Sequence, residues 1–340
     1  MNGERFEAIA ARYAGLRIAV VGDFCLDRYL EIDPAKAETS IETGLPVYNV
    51  VRVRSQPGAA GTILNNLVAL GVKTVYPVGF VGEDGEGYEL IRSLREKRGV
   101  DLDFFLQTPD RRTFTYCKPL IVAPAQTPLE LNRLDSKNWT PTPAKVAAQL
   151  SDYVEAVSSQ VDATIVMDQV DIAETGVVTH RLLERIGELS KSRSEALFIA
   201  DSRQRLRDFP PVCFKMNVAE LAKLAGKTAP LKLADVKAEA AALARKNGRP
   251  VFVTMAEQGI LGGSASGEIE HVPALPVRDE IDVVGAGDAV TANLTCALSS
   301  GANINEALRL ANAAASIVIH QLGTTGTADV NQLRVALSAR

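Results

Sequence analysis

Arg17-Ile18-Ala19-Val20-Val21-Gly22 is the first strongly apolar run in the chain, short, rich in β-branched residues and closed by a glycine. A run apolar on both pleats reads as a parallel strand buried on both faces, and it makes a strand-first α/β fold the default. Similar runs recur at Thr74–Val81, Ala163–Met167, Leu197–Ala200 and Val251–Thr254. Helix-like stretches such as Thr62–Leu70, Tyr88–Lys97 and Val177–Leu189 separate them. The alternation predicts a doubly wound, mostly parallel sheet flanked by helices.

Two stretches break the rhythm. Tyr29–Ser55 carries Pro34 and Pro46, and Phe104–Leu134 interrupts β-branched and aromatic residues with Pro109, Pro119, Pro124 and Pro128. Both read as strands outside the main sheet. Paired with each other they would form a small β lid over the strand ends; unpaired, they would be ordered surface loops. Ala229–Asn247 is rich in Ala, Lys and Leu and reads as helix, and the chain from Ala289 onward is helix-rich. Neither an internal repeat nor a low-complexity linker is present, so residues 1–340 are expected to form one domain, with lid segments at about 29–55 and 104–134.

The 340 residues are 46% hydrophobic, enough for a sizeable core. Lys and Arg number 37 against 41 Asp and Glu, and the net charge of −4 speaks against capture of nucleic acid or an anionic membrane. Cys25, Cys117, Cys213 and Cys296 are scattered among apolar neighbours such as Phe24 and Phe214, which suggests buried thiols in a reducing compartment. Met1–Gly15 alternates charged and apolar residues and offers no signal peptide or membrane anchor, so a cytoplasmic location is expected. His180, His271 and His320 have no metal spacing and read as surface or satisfied polar residues. Trp139 reads as a packing anchor.

The chemistry is concentrated in Asp282–Asp288, DVVGAGD, followed by the small, apolar run Ala289–Leu298. Gly285, Ala286 and Gly287 at a helix start let backbone N–H groups approach an anion, and the helix dipole adds positive potential there. Asp288 stands in the same turn. A hydroxyl held in line with the γ-phosphate of ATP could pass its proton to that carboxylate as phosphoryl transfer proceeds. Alone, the string is equally compatible with helix packing and an N-cap.

Together with Ala311–Thr324, DVVGAGD resembles the C-terminal motif region of the ribokinase-like, PfkB-type carbohydrate kinases. Gly22–Tyr29 (GDFCLDRY), Pro57–Gly61 (PGAAG) and Gly79–Gly85 (GFVGEDG) resemble that family's other landmarks, in order, so the likeness covers Arg17–Thr327. Within the family, the likeness is to the kinase module of heptose-7-phosphate kinases. The resemblance implies Asp288 as general base and Gly285, Ala286 and Gly287 as the anion hole. It implies Asp27 as a holder of sugar hydroxyls, a role suited to a carboxylate at the mouth of the first strand. Gly58, Ala59 and Thr62 fall in its sugar-binding stretch. Asn217 and Glu220 match its Asn-x-x-Glu motif for Mg2+, through water, and the nucleotide phosphates. Thr254, Gly259 and Asn312 fall where it contacts ATP, and Asp282 and Gly323 near its monovalent-cation loop, which brings K+ into consideration. It also implies a homodimer formed through the lids.

Departures bear on the substrate. The family's Gly-Gly and following Asn are here Gly58-Ala59 and Thr62; Asp-Tyr-Gly-Lys-Gly of heptose-phosphate kinases is Asp168-Gln169-Val170-Asp171-Ile172; Asp-Pro-Lys is Asp201-Ser202-Arg203; and a motif Thr is Val284. An acceptor that already carries phosphate would need a basic site, for which the lid segments offer Arg52, Arg54, Arg111, Arg112 and Lys118, with Arg112 taken as the test case. Two rival readings stand beside the kinase. One is a Rossmann-type oxidoreductase on Gly79–Gly87, whose glycine spacing and two acids oppose it. The other is a catalytically silent sugar or nucleotide binder on the same fold.

Overall fold

The computed structural model describes residues 1–123, 127–203, 206–228 and 230–338. Pro124 of the second lid segment, Ala229 at the head of the expected helix, and the last residue, Arg340, lie outside the described residues. In chain order the strands are β1 (Arg17–Gly22), β2 (Phe24–Ile32), β3 (Glu38–Thr39), β4 (Pro46–Val47), β5 (Val50–Ala59), β6 (Thr74–Gly82), β7 (Phe105–Thr108) and β8 (Phe114–Ile121). They continue as β9 (Leu129–Glu130), β10 (Leu134–Ser136), β11 (Ala163–Asp168), β12 (Leu197–Ser202), β13 (Cys213–Asn217), β14 (Val251–Thr254), β15 (Ile260–Gly263) and β16 (Ile269–Val272).

The large sheet has nine strands in the order β16-β15-β14-β13-β12-β11-β1-β6-β7. Every neighbouring pair from β7 to β14 is parallel, and β15 and β16 extend it antiparallel. β1 lies between β6 and β11, so the strand order reverses beside it and its C-terminal end opens onto a crevice. Both faces of β1 are covered, which is why its sequence is apolar without alternation. Ile18 and Val20 pack with helices Ala60–Ala69, Ala286–Ser299 and Ile304–Val318; Ala19 and Val21 pack with Ala144–Ser158, His180–Ser192 and Leu233–Asn247.

The second sheet runs β10-β8-β2-β5, with β9 on β8. β2 follows β1 after Asp23 alone, so this sheet rises from the C-terminal end of the central strand. The two proline-rich stretches meet here: β2 pairs antiparallel with β5 and parallel with β8. The second stretch divides, because Phe105–Thr108 pairs with β6 as the edge of the large sheet and the small sheet starts only at Phe114. Phe105 is drawn there by an edge contact with Phe24, with ring centroids 5.1 Å apart.

Three strands, β13, β15 and β16, escaped the sequence reading. Polar Lys215 and Asn217 interrupt β13, and β15 and β16 are each only four residues long. Trp139 is corrected outright: its side chain is 70% exposed, so it anchors no core. The four cysteines are free and buried. No helix among the described residues is long and apolar enough to cross a membrane.

Candidate active site

Gly285 is the N-cap of helix Ala286–Ser299 at φ 82°, a conformation that favours glycine. A Cβ there would lie 3.4 Å from Thr325 and 3.5 Å from the Thr62 methyl, so Thr62 borders the turn. The first helical bond closes from Ala289 N–H to the Gly285 carbonyl. Among the described residues the N–H groups of Gly287 and Asp288 meet no backbone carbonyl outside the helix, as expected of orphan donors at a helix start.

Below that turn is a buried ion pair. Lys215 Nζ donates to Asp201 Oδ2 at 2.7 Å, and Thr291 Oγ1 donates to the same oxygen at 2.9 Å. A Cβ on Gly287 would stand 3.0 Å from Lys215 Nζ, so the absent side chain leaves the ammonium directly beneath the Gly285–Gly287 backbone. Burial pulls the Lys215 pKa down, but the Asp201 carboxylate outweighs it and the net shift is upward, keeping the amine charged. Burial first, and Asp201 second, push the Asp288 carboxyl up to about 7; Lys215 and Arg203 oppose that rise.

Asp27 projects from β2 and is buried. Burial raises its pKa, and Lys118, Arg133 and Arg203 pull against that. Gly58 makes the carboxylate possible: a Cβ there would come within 2.4 Å of Asp27 Oδ2. Ala59 follows at φ 53°, ψ −116° as the cap of helix Ala60–Ala69, in a region that L residues disfavour. Gln56, opposite Asp27 in register, donates to Thr325 Oγ1 and accepts from Thr324 Oγ1 at 3.1 Å, tying the small sheet to the loop after helix Ile304–Val318.

Asn217 and Glu220 form a reciprocal capping box on helix Val218–Leu224, with bonds of 2.9 and 2.7 Å. The box occupies Glu220 Oε2; burial and then Asp201 raise the Glu220 pKa. Glu220, Ser202, Arg203, Arg207 and Lys223 line a cavity of about 340 Å³ on the outer side of this motif. At the far edge, Thr254 ends β14 opposite Asn217, and buried Asn312 donates to the Pro273 carbonyl at 2.6 Å. Gly259, at φ 92°, is needed for packing, since a Cβ would meet the Val272 carbonyl at 2.1 Å. Asp282 N–H donates to the Ile319 carbonyl at 2.8 Å, and the Gly323 carbonyl accepts from Arg54 at 3.4 Å.

These residues thus fall at one end of the parallel strands, with Asp288 in electrostatic reach of Asp27 and Lys215, and Lys215 in reach of Glu220. Arg112 stands apart: it is exposed, and its backbone N–H is bonded to Asn138. Arg111 is buried and holds the carbonyls of Thr140, Pro141 and Thr175. Gly82 and Gly87 of the oxidoreductase-like string are used internally: Asp84 caps helix Gly85–Arg95, and a Cβ on Gly87 would strike the Gly82 carbonyl at 2.2 Å. Sequence reasoning missed Lys215, Thr291 and a buried carboxylate pair. Asp23 accepts from Gln169 and Val177 N–H at 2.9 and 2.7 Å, and burial and then Asp168 raise its pKa. A lysine two residues before Asn-x-x-Glu, together with an Asp closing an apolar strand, was the available signal.

The family model for the pfkB family carbohydrate kinases matches residues 17–331. Among curated proteins, the bifunctional protein HldE of Gluconacetobacter diazotrophicus is 29% identical over 329 residues, 96% of this chain and 65% of its own length. That of Rhodospirillum rubrum is 32% identical over 321 residues, 93% of this chain and 61% of its own. The chain therefore spans under two thirds of the length of these relatives. Among solved structures, Arabidopsis thaliana ribokinase complexed with ribose and ATP superposes with a TM-score of 0.67 at 18% identity, covering 95% of this chain and 98% of that one. Escherichia coli phosphofructokinase-2 in complex with fructose-6-phosphate gives 0.69 at 16% identity, with the same coverage.

Proposed function

The chain belongs to the pfkB family of carbohydrate kinases, and from that premise we propose that it moves the γ-phosphate of ATP onto a hydroxyl of a sugar or sugar phosphate, with Asp288 as general base. The carrying observation is the meeting, at one helix start, of two N–H groups without external backbone partners, a buried ammonium and a carboxyl with its pKa near 7. A base with a pKa close to neutrality accepts a hydroxyl proton without being fully protonated at the working pH. Asp27 holds the acceptor hydroxyls. At the Gly285–Gly287 turn the N–H groups of Gly287 and Asp288 take the equatorial oxygens of the transferring group, while the Ala286 N–H stays on the Val283 carbonyl, and Lys215 offsets the charge from below.

Mg2+ fits the donor chemistry. Among the described residues no three acidic or His/Cys side chains gather as a cage, and Asp201 is spent on Lys215 and Thr291. Magnesium commonly keeps several waters and takes only one or two protein carboxylates with substrate phosphates, so Glu220 would hold it through water. When bound, the ion neutralises charge on the nucleotide phosphates. Thr254, Gly259 and Asn312 border the nucleotide, and Asp282 and Gly323 border a monovalent-cation site for K+. The resemblance of the sequence landmarks to heptose-7-phosphate kinases supports a heptose phosphate as acceptor. Free, buried cysteines agree with a cytoplasmic setting, and the exposed apolar side chains Val51 and Val53 on edge strand β5 with a homodimer.

A coupled ADP-release assay over sugars and sugar phosphates tests the reading. Asp288→Asn is expected to abolish turnover on the accepted sugar while ATP affinity stays within a few-fold. Turnover that survives in Asp288→Asn refutes the base, and ATP binding without turnover on any sugar favours a silent binder.

A further inference from the structure

The face of the small sheet that looks into the site is fixed by register. Asp27, Tyr29 and Glu31 on β2 stand opposite Gln56, Arg54 and Arg52 on β5, and opposite Tyr116, Lys118 and Leu120 on β8. The other face is turned to helix Gly85–Arg95, where Arg28 pairs with Glu86 and Glu89. On the inner face, Tyr29 is flanked by two cations: Arg54 Cζ is 4.7 Å and Lys118 Nζ 5.0 Å from the ring centroid. Tyr116 carries two more, Arg133 and Lys137.

Most of these charges are already matched. Arg54 pairs with Glu31 at 2.6 Å, Arg133 with Asp135 at 3.0 Å and Lys137 with Asp171 at 3.0 Å. Lys118 is different. Its ammonium is half-buried, touches the Tyr29 hydroxyl at 3.4 Å, and has no carboxylate within ion-pair distance among the described residues. It is also the strongest opposing charge felt by Asp27. An ammonium braced on an aromatic ring keeps donors for a ligand, and desolvation strengthens what it binds.

We propose that Lys118, braced on Tyr29, binds the phosphate monoester of an acceptor whose hydroxyls rest on Asp27, making Lys118 the residue that selects a phosphorylated over an unphosphorylated sugar. The proposal rests on the reading of Asp27 as the acceptor site. It moves anion recognition from the exposed Arg112 to the inner row of the small sheet, where a ligand spanning Asp27 and Lys118 crosses the β2–β8 register diagonally.

The test compares heptose 7-phosphate and fructose 6-phosphate with their parent sugars, by steady-state ADP release and by calorimetric binding, in wild type, Lys118→Met and Lys118→Arg. The Met variant keeps the contact with Tyr29 and removes the charge; Lys118→Gln replaces it if Met does not fold. The kcat/KM ratio of phosphorylated to parent sugar is expected to fall about tenfold in the Met variant and to return to within about threefold of wild type in the Arg variant. An unmoved ratio, or no phosphorylated sugar binding more tightly than its parent, overturns the proposal. If wild type turns over nothing, yet binds a phosphorylated sugar about tenfold more tightly than Lys118→Met does, the anion site stands and the kinase reading fails.

Discussion

Replacing Lys215 with methionine removes the ammonium beneath the anion hole while filling most of its volume, and three consequences can be worked out. A charge-assisted hydrogen bond contributes about 1.5–3 kcal/mol, so kcat/KM should fall by about one to two orders of magnitude. Lys215 also holds the Asp288 pKa down, so its loss moves that pKa upward from about 7. Asp288 must be ionised to accept the proton; activity therefore rises with pH through its pKa, and the acidic limb of the profile should move to higher pH. Finally, Asp201 would be left buried with Thr291 as its remaining hydrogen-bond partner among the described residues, and breaking a buried pair costs about 3–5 kcal/mol. Lys215→Met/Asp201→Asn should recover much of that stability without recovering the rate. The assay is ADP release from about pH 5.5 to 9, beside urea unfolding of the single and double variants. A folded Lys215→Met enzyme with an unmoved acidic limb would refute the coupling of Lys215 to a base at Asp288.

Two further substitutions probe the stretch leading into helix Ala60–Ala69. Ala59→Gly should stabilise the fold by about 1 kcal/mol in urea unfolding, because φ 53° with ψ −116° strains any residue bearing a Cβ; an unchanged or lower midpoint contradicts that strain. Gly58→Ala places a methyl 2.4 Å from Asp27 Oδ2, and should raise the acceptor KM about tenfold or more with the ATP KM little changed; an equal effect on both would mean that Asp27 does not hold the acceptor.

Local patterning reached far in this chain because each burial environment leaves its own signature. A strand covered on both faces must be apolar throughout, as β1 is, and a helix start with a left-handed cap and close backbone approach must be small, as Gly285–Gly287 are. Where two demands compete, the reading faltered. β13 is a buried strand that also delivers Lys215 and Asn217 to the site, so its polar residues masked its apolar pattern. Phe105–Thr108 is indistinguishable in composition from a strand of the small sheet, and its pairing with β6, with Phe105 against Phe24, assigns it to the large one.

By itself the sequence determined the α/β alternation, the resemblance to a kinase family and the turn bearing Asp288, since all three depend on residues adjacent in the chain. Tertiary structure alone decided which distant groups share that turn. Lys215, Asp201 and Thr291 come from β13, β12 and helix Ala286–Ser299, and no periodicity links them. It also decided which of the four cations on the Tyr29 and Tyr116 rings lacks a carboxylate partner among the described residues, because Arg54, Arg133, Lys137 and Lys118 look alike as letters. Their difference is whether a folded neighbour, Glu31, Asp135 or Asp171, stands within reach, and Coulomb interaction over a few ångströms depends on distance through space, not along the chain.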